Sequence, residues 1–330
     1  MKKHLAKLRL GAGQILLTMP SLGWLMLFFI LPTAMVLLVT FHPALPGGGV
    51  GSSWTLSTWR NIANPHYPEI IWRTVWMSLV STAVCIAISV PAAFAFARAR
   101  PGTRHLVSAL VVLPFWTSFL IRVFAWKTLL HPEGIIASAI NATGLFAEPV
   151  NLLYNPGTVL LVMVYTYLPF AMLPLFAAAE KFDFSLMEAS LDLGAGQLRS
   201  FFSTFVPGIR AGIVSAMLMV FIPALGSYVI PDMVGGKNNE MIGTKIAQRA
   251  TSDRNLPQAG VLSMLLMFGV LVPPFLAWAL ARSRAAAGEG AGGSGSGANG
   301  KPIADAATAT AGAAPLGGGG NNNSAKGGAA

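Results

Sequence analysis

Residues that can do covalent chemistry are few and far apart in this chain of 330 residues. Catalysis needs a nucleophile, a base or a metal cluster gathered at one site. The single cysteine, Cys85, lies inside an apolar run, where a thiol behaves as a small hydrophobe. The histidines fall on different loops and segment ends: His4, His42, His66, His105 and His131. We therefore predict no catalytic residue, no metal site and no enzyme activity.

The segment 180–207 carries residues suited to recognition of another protein. Ser185 and Glu188 have the spacing of a capping box, so a short helix is predicted to begin at Leu186. Gly194 is placed to end that helix, because glycine adopts the left-handed backbone conformation of a helix C-terminus. The segment is therefore predicted to be folded rather than a loose linker.

A second helical stretch, Gln197 to Phe205, is predicted to end before Pro207. The first helix has an apolar edge and a charged edge, formed by Leu186, Met187, Leu191 and Leu193 and by Glu188 and Asp192. Such a surface suits docking to a soluble partner. The alternatives are that Glu188 only caps the helix and that the two helices lie on lipid.

A near-match to a phosphate-binding loop occurs close to the C-terminus. Gly295 is followed by Gly300 and Lys301, but Pro302 stands where the loop needs Ser or Thr, and no strand precedes it. We interpret the match as chance. This chain is not expected to bind or hydrolyse ATP.

A second candidate region surrounds an interrupted apolar run. Pro223, Gly226 and Pro231 lie close together, and Tyr228 and Asp232 accompany them. A broken helix in a membrane needs cover from protein or a water-filled cavity, and such breaks often mark transport sites. An aromatic face and a carboxylate suit an organic cation. A simple kink and a solvated acid are the alternatives.

Arg122 lies in the outer third of another apolar run, after Pro114 and Trp116. Its charge is costly inside a bilayer, so it either snorkels to the outer surface or pairs with an acid of a partner subunit. Trp116, Trp126 and Tyr165 either line a cavity or act as interfacial anchors.

The composition identifies the elements that position these residues. Hydrophobic residues make up 54% and charged residues 10% of the chain, with a mean hydropathy of +0.62, whereas soluble domains carry about 25% charged residues. A helix of about 20 apolar residues crosses a bilayer, and lipid requires the spans to be helical. We predict an all-α integral membrane protein with six transmembrane helices: 16–41, 70–97, 106–130, 158–178, 208–230 and 259–281.

The net charge of +10 reflects topology rather than nucleic-acid binding, because Lys and Arg stand at the ends of the apolar runs. When the N-terminus is placed inside, the cytoplasmic segments carry more Lys and Arg than the outer segments. This distribution predicts that both termini are inside. Residues 1–15 are the predicted cytoplasmic N-terminus, 16–284 the six-span domain and 285–330 a low-complexity, disordered tail. The first run is too long for a signal peptide.

The segment 180–207 resembles the EAA loop of ABC importer permeases. The resemblance rests on Glu188-Ala189-Ser190, Gly194 and Val206-Pro207. It implies a type I ABC importer permease fold in which this segment is a coupling helix seated in a cleft of a separate ATPase. Ser190, Thr204 and Val206 depart from the usual Ala, Ile and Leu.

Two further segments are similar to signatures of spermidine/putrescine permeases. They are 114–126 and 221–236, the latter followed by Met241-Ile-Gly243. The likeness covers about residues 15 to 284 and is nearer to the first permease of those systems than to the second. Arg254-Asn-Leu-Pro257 departs from the family's Arg-Asp-Trp-Pro.

The resemblance implies a pore for a small organic cation in the bacterial inner membrane. It also implies a second permease subunit, two copies of a cytoplasmic ATPase that binds the ATP and magnesium, and an external solute-binding protein. Another small solute, such as an amino-acid derivative, an opine or a phosphonate, is an alternative. So is a stand-alone secondary carrier, which would show an internal repeat and charges deep in several spans.

Overall fold

The computed structural model describes residues 18–64, 66–142 and 151–271. Within them the regular structure is helical, apart from one isolated bridge between Ala44 and Val50. The all-α prediction is therefore confirmed for this part of the chain. The main helices are α1 (Thr18–Val39), α2 (His66–Arg98), α3 (Pro101–Trp116), α4 (Phe119–Leu129), α5 (Ile135–Ala142), α6 (Pro156–Glu180), α7 (Ser185–Asp192), α8 (Gln197–Gly208), α9 (Arg210–Leu225), α10 (Ile242–Thr251) and α11 (Leu256–Leu271).

The core is the mutual packing of α2, α6 and α9. Small side chains on α2 are buried along one face, and this lets the helix backbones approach closely: Thr74, Ser78, Ser81, Thr82, Cys85, Ser89 and Ala93. A Cβ added at Gly212 on α9 would overlap the Cβ of Ala178 on α6. Close backbone approach therefore contributes to the packing of these three helices, together with large buried side chains such as Phe96 of α2 and Phe176 of α6, whose rings stack at 4.2 Å.

Three described helices, α1, α2 and α6, are long and apolar enough to cross a membrane. None of the apolar window of α1 is buried, so its surface faces lipid or another subunit. Up to five spans result if each of two bent helix pairs counts as one span.

The predicted third span, 106–130, is interrupted and is not one continuous helix, and its crossing of the membrane as a single span stays a prediction. Helices α3 and α4 meet at an angle of 89°. Pro114 has no N–H to donate, and Thr117 and Ser118 adopt extended backbone, with ψ of 147° and 132°. The second bent pair, α8 and α9, meets at 71°.

Some predictions fall outside the described residues. These are the N-terminus 1–15, the end of the sixth span beyond Leu271 and the tail 285–330. Helix α11 covers the beginning of the sixth predicted span. The number of spans, their orientation and the division into domains stay predictions.

Candidate functional site

The start of α7 differs from the predicted capping box. The helix begins at Ser185, and no side chain caps it from the N-cap position, which Phe184 occupies. Instead, Asp183 Oδ1 accepts a hydrogen bond from the Ser185 N–H at 3.0 Å. Hydrogen bonds from the hydroxyl and the backbone of Ser185 hold the pKa of Asp183 below its ordinary value. Ser185 is thus a donor to the acid before it, not an acceptor for the residues after it.

The end of α7 agrees with the sequence-based prediction. Gly194 has φ of +86°, a conformation that costs any other residue a steric penalty. Its N–H donates to the Leu191 carbonyl at 2.9 Å, and the Ala195 N–H donates to the Ser190 carbonyl at 3.1 Å. This pair of bonds is a Schellman motif, which closes α7 and turns the chain towards α8.

A cluster of phenylalanine rings anchors the 180–207 segment to the membrane helices. Phe205 of α8 is fully buried, and its ring lies 5.0 Å from Phe94 of α2 and 5.2 Å from Phe182. Phe184 and Phe201 complete the cluster. The Ser200 hydroxyl donates to the Met187 carbonyl at 3.4 Å and so ties α8 to α7. Helices α7 and α8 therefore form one unit that is packed against α2.

The prediction that Met187 belongs to the exposed apolar edge is wrong. Met187 is buried on α7, and its carbonyl accepts the hydrogen bond from Ser200 of α8. The other predicted edge residues are exposed, and Leu193 is 89% exposed. Glu188, Ala189 and Asp192 are exposed and Ser190 is half-buried.

Helix α8 continues through Pro207 to Gly208, so the prediction that it ends before Pro207 is also wrong. The turn Phe201–Phe205 is a π-helix, in which the Val206 N–H donates to the Phe201 carbonyl. This wider turn accommodates the missing donor of Pro207. Leu198 and Phe202 of α8 are exposed. Sequence reasoning missed them, although their spacing of four residues places them on one helix face.

We call the exposed residues of α7 and α8 the docking surface: Leu186, Glu188, Leu191, Leu193, Leu198 and Phe202. Glu188 lines a shallow pocket of about 90 Å³ together with Arg98 of α2. It forms no ion pair with any described residue. An unpaired carboxylate among exposed leucines can bind a partner surface that offers both a cation and an apolar groove.

The interruption predicted near Pro223 and Gly226 is present. Helix α9 ends at Leu225, Gly226 follows it, and a single π-helical turn, Pro231–Gly235, resumes the helical path. The hydroxyl of Tyr167 on α6 donates to the Pro223 carbonyl at 3.3 Å. This hydrogen bond from a neighbouring helix thus satisfies a carbonyl that lacks its helical donor because α9 ends there.

The start of α10 covers the broken backbone, as a break inside a membrane requires. A Cβ at Gly243 would come within 2.6 Å of the Ser227 carbonyl oxygen, so only glycine allows this approach. The Thr244 hydroxyl donates to the Tyr228 carbonyl at 3.3 Å. Gly243 was noted in the sequence only as part of a motif, and nothing local indicates that it contacts the break.

Tyr228 and Asp232 lie one turn apart at this break. The Asp232 N–H donates to the Tyr228 carbonyl at 3.0 Å, and both side chains are exposed. An aromatic face and a carboxylate are therefore available together beyond the end of α9. Their contact with a transported solute stays a prediction.

The break between α3 and α4 gives Arg122 a role that sequence reasoning missed. Its Nη1 donates to the Pro114 carbonyl at 2.8 Å, so the guanidinium caps the last turn before the break. Trp116 stands at the end of α3, on a different element from Tyr228, and is 85% exposed. The rings of Trp126 and Tyr165 pack edge to face at 5.2 Å.

Curated relatives resemble the chain over most of its length, although no model of a known protein family matches it. It is 34% identical over 242 residues to the spermidine/putrescine transport system permease protein PotB of Haemophilus influenzae, covering 73% of this chain and 85% of that protein. It is 30% identical over 260 residues to PotB of Escherichia coli, covering 79% and 94%. The inner membrane ABC transporter permease protein YdcU of Escherichia coli is 29% identical over 68% of this chain and 74% of that protein.

Solved structures share the fold. A chain of a bacterial ABC transporter involved in import of the acidic polysaccharide alginate superposes with a TM-score of 0.65, at 15% identity, over 85% of this chain and 99% of that chain. A chain of an alginate ABC transporter in complex with an alginate-bound periplasmic protein has a TM-score of 0.62, at 16% identity, over 82% and 93%. The predicted ABC importer permease fold is thereby confirmed.

Proposed function

Because the chain belongs to the PotB family of ABC importer permeases, we propose that it forms half of the pore of a polyamine importer in the bacterial inner membrane. A second permease subunit forms the other half. Two copies of a cytoplasmic ATPase bind ATP and magnesium, and an external solute-binding protein delivers spermidine, putrescine or a similar cation. This chain itself catalyses no reaction.

The observation that carries the proposal is the docking surface and its rigid support. Exposed leucines and an unpaired Glu188 project from α7, and α7 is fixed to the membrane helices by Phe205 and the Ser200–Met187 hydrogen bond. A surface that binds a motor subunit must transmit force, so it must not be a loose loop. The Schellman motif at Gly194 and the phenylalanine cluster meet that requirement.

The connectivity supplies a path from this surface to the pore. Helix α8 passes through Ile209, which is buried, directly into α9. Helix α9 ends at the break that carries Tyr228 and Asp232. In the proposed cycle, closure of the ATPases moves α7 and α8, α9 follows, and the break changes its exposure from the inner to the outer side. The solute-binding protein then releases the cation into the pore.

Association with an ATPase tests the proposal. The tagged chain would be co-expressed with its second permease and candidate ATPase, and the ATPase that co-purifies would be quantified. Leu193→Asp and Glu188→Ala are expected to reduce co-purification about tenfold, because a charge in an apolar groove and a lost ion pair each weaken a docked interface. Lys181→Gln is the control, since Lys181 is exposed at the end of α6 but lies outside the docking surface. Undiminished co-purification of both variants would contradict the proposal.

A further inference from the structure

A polar cavity lies at the end of α2 remote from the docking surface. Its volume is about 540 Å³, and it lies between the start of α2 and the segment 237–249. Helix α2 has 33 residues, which span about 50 Å at about 1.5 Å per residue. Because Arg98 at its other end lies beside Glu188, the cavity belongs to the opposite face of the membrane domain. The pathway described above makes no use of this cavity.

The cavity carries an excess of positive charge. Four cations line it, Arg73, Lys237, Lys245 and Arg249, against two carboxylates, Glu69 and Glu240.

Ion pairs satisfy three of these cations. Arg73 pairs with Glu69 at 2.6 Å, Lys245 with Glu240 at 2.9 Å, and Arg249 with Asp253, outside the lining, at 2.8 Å. Lys237 is exposed and has no carboxylate partner among the described residues. Four cations against three carboxylates leave one positive charge, which one added carboxylate would balance.

A tyrosine hydroxyl adds a hydrogen-bond donor to this lining. Tyr67 is 5% exposed, and its oxygen accepts from Gln258 Nε2 at 2.7 Å and from Arg249 Nη2 at 3.4 Å. Both partners donate, so the hydroxyl proton of Tyr67 is used by neither bond. Tyrosine, lysine and arginine donors in one cavity favour an anion and disfavour a polyamine.

The walls of the cavity are held in place before any ligand arrives. Arg73 donates to the Asn238 carbonyl, and the buried Thr74 hydroxyl oxygen accepts from the Ile242 N–H at 2.8 Å. Asn239 donates to the carbonyls of Tyr154 and Gly235, at 3.0 and 2.8 Å. These bonds join α2, the segment before α6 and the segment after the break. A preorganised site loses less entropy when a partner docks.

The cavity is also next to the break. Gly243 and Thr244, which contact the backbone of Ser227 and Tyr228, lie directly before Lys245 of the cavity lining. A net positive charge here repels a polycation that approaches Tyr228 and Asp232. Neutralising that charge therefore favours entry of the cation.

We propose that this cavity receives an Asp or Glu side chain of the external solute-binding protein, and that the docked carboxylate removes the positive barrier at the pore entrance. The inference rests on the proposed function, because it requires a delivering partner on this face. Lys237 is the central contact, since it is the cation that has no described carboxylate partner. Delivery of the cation and its entry into the pore are thereby coupled, because the positive charge at the pore entrance is neutralised only while the binding protein is docked.

The test measures binding of the purified, ligand-loaded solute-binding protein to the assembled importer in nanodiscs. Lys237→Glu is expected to weaken binding about tenfold and to reduce its salt dependence, because exposed charge pairs are screened by salt. Arg60→Glu is the matched control, since Arg60 is exposed just before α2 and does not line the cavity. Binding of the solute-binding protein to the Arg60→Glu importer is expected to equal its binding to the native importer. An acid-to-lysine change in the binding protein, at the position that cross-links to Lys237→Cys, should restore binding to Lys237→Glu.

Several outcomes would overturn the inference. One is equal binding by Lys237→Glu and Arg60→Glu; another is failure of every acid-to-lysine change to restore binding. A defect that occurs with anionic lipid but not in nanodiscs of phosphatidylcholine alone would assign the cavity to a lipid headgroup instead. Co-purification of the ATPase is measured on the same samples, so loss of the whole assembly, which contradicts the proposed function, is distinguished from loss of docking alone.

Discussion

The hydroxyl of Tyr167 on α6 donates a hydrogen bond to the backbone carbonyl of Pro223 on α9, at 3.3 Å. In an uninterrupted helix that carbonyl would accept from the Ser227 N–H. Here the Ser227 N–H donates to the Ala224 carbonyl instead, at 3.2 Å. One side chain of a neighbouring helix thus satisfies the acceptor that the break in α9 leaves free, and it fixes the position of the break relative to α6.

Replacing Tyr167 with Phe removes this bond and leaves the ring in place. We expect a loss of about 1 kcal/mol of stability, because the Pro223 carbonyl loses the donor of a partly buried hydrogen bond. Thermal unfolding in detergent should show a lower Tm, and uptake should fall while ATPase co-purification stays unchanged. Tyr165→Phe is the control, since the ring of Tyr165 packs on Trp126 and its hydroxyl has no described hydrogen bond. A Tm for Tyr167→Phe equal to that of the control would refute the role of the bond.

Gly194 is expected to be indispensable for the shape of the docking surface. Gly194→Ala places a Cβ at φ of +86°, which costs about 1 kcal/mol and loosens the turn that presents Leu193. Hydrogen exchange across 185–195 should become faster, and co-purification of the ATPase should fall severalfold.

The matched control for Gly194 is Gly196→Ala in the same turn. Gly196 has φ of −67°, and a Cβ there would meet nothing within 4 Å. Hydrogen exchange across 185–195 and co-purification of the ATPase are therefore expected to be unchanged in Gly196→Ala. If both alanine variants behaved alike, the left-handed conformation of Gly194 would have no part in coupling.

The sequence predicts features that depend on neighbours along the chain. The end of α7 at Gly194 and the break after Pro223 follow from local backbone chemistry, and the structure has both. Features that depend on packing were missed. Met187 is buried where α7 is tied to α8 by the Ser200 hydroxyl, and Arg122 bonds to Pro114 only because the predicted third span bends there.

The contact between the start of α10 and the break in α9 also depends on packing and could not be predicted from the sequence. Gly243 lies 16 residues beyond Ser227 in sequence, so no periodicity relates the two, yet its backbone rests on the Ser227 carbonyl. The residues with the polar types expected of a cation site, Tyr228 and Asp232, were identifiable from sequence because they flank the break itself. The residues that hold the break in place, Tyr167 and Gly243, were not.

Gly212 is expected to tolerate no larger residue. Even Gly212→Ala forces overlap with Ala178 of α6, and overpacking of this kind costs about 1–3 kcal/mol. Gly23→Ala in α1 is the control, because a Cβ there meets nothing within 4 Å and alanine favours helix over glycine. Thermal unfolding should therefore show a lower Tm for Gly212→Ala and an unchanged or higher Tm for Gly23→Ala. The opposite order would show that α6 and α9 do not depend on this contact.

Asp232 is expected to attract the transported cation. Asp232→Asn keeps the size of the side chain and removes its charge, so an exposed interaction worth about 1 kcal/mol is lost and the KM for spermidine uptake should rise roughly fivefold. Asp232→Glu should retain most of the affinity because the carboxylate remains beside Tyr228. Glu133→Gln is the control, since Glu133 is an exposed acid after α4 and lines a pocket that includes neither Tyr228 nor Asp232, and the KM of this variant should equal that of the native importer. Uptake would be measured in proteoliposomes at two salt concentrations, because an electrostatic effect must weaken as ionic strength rises. A KM for Asp232→Asn equal to that of Glu133→Gln would make Asp232 a solvated acid and move the search for the cation site to other residues of the pore.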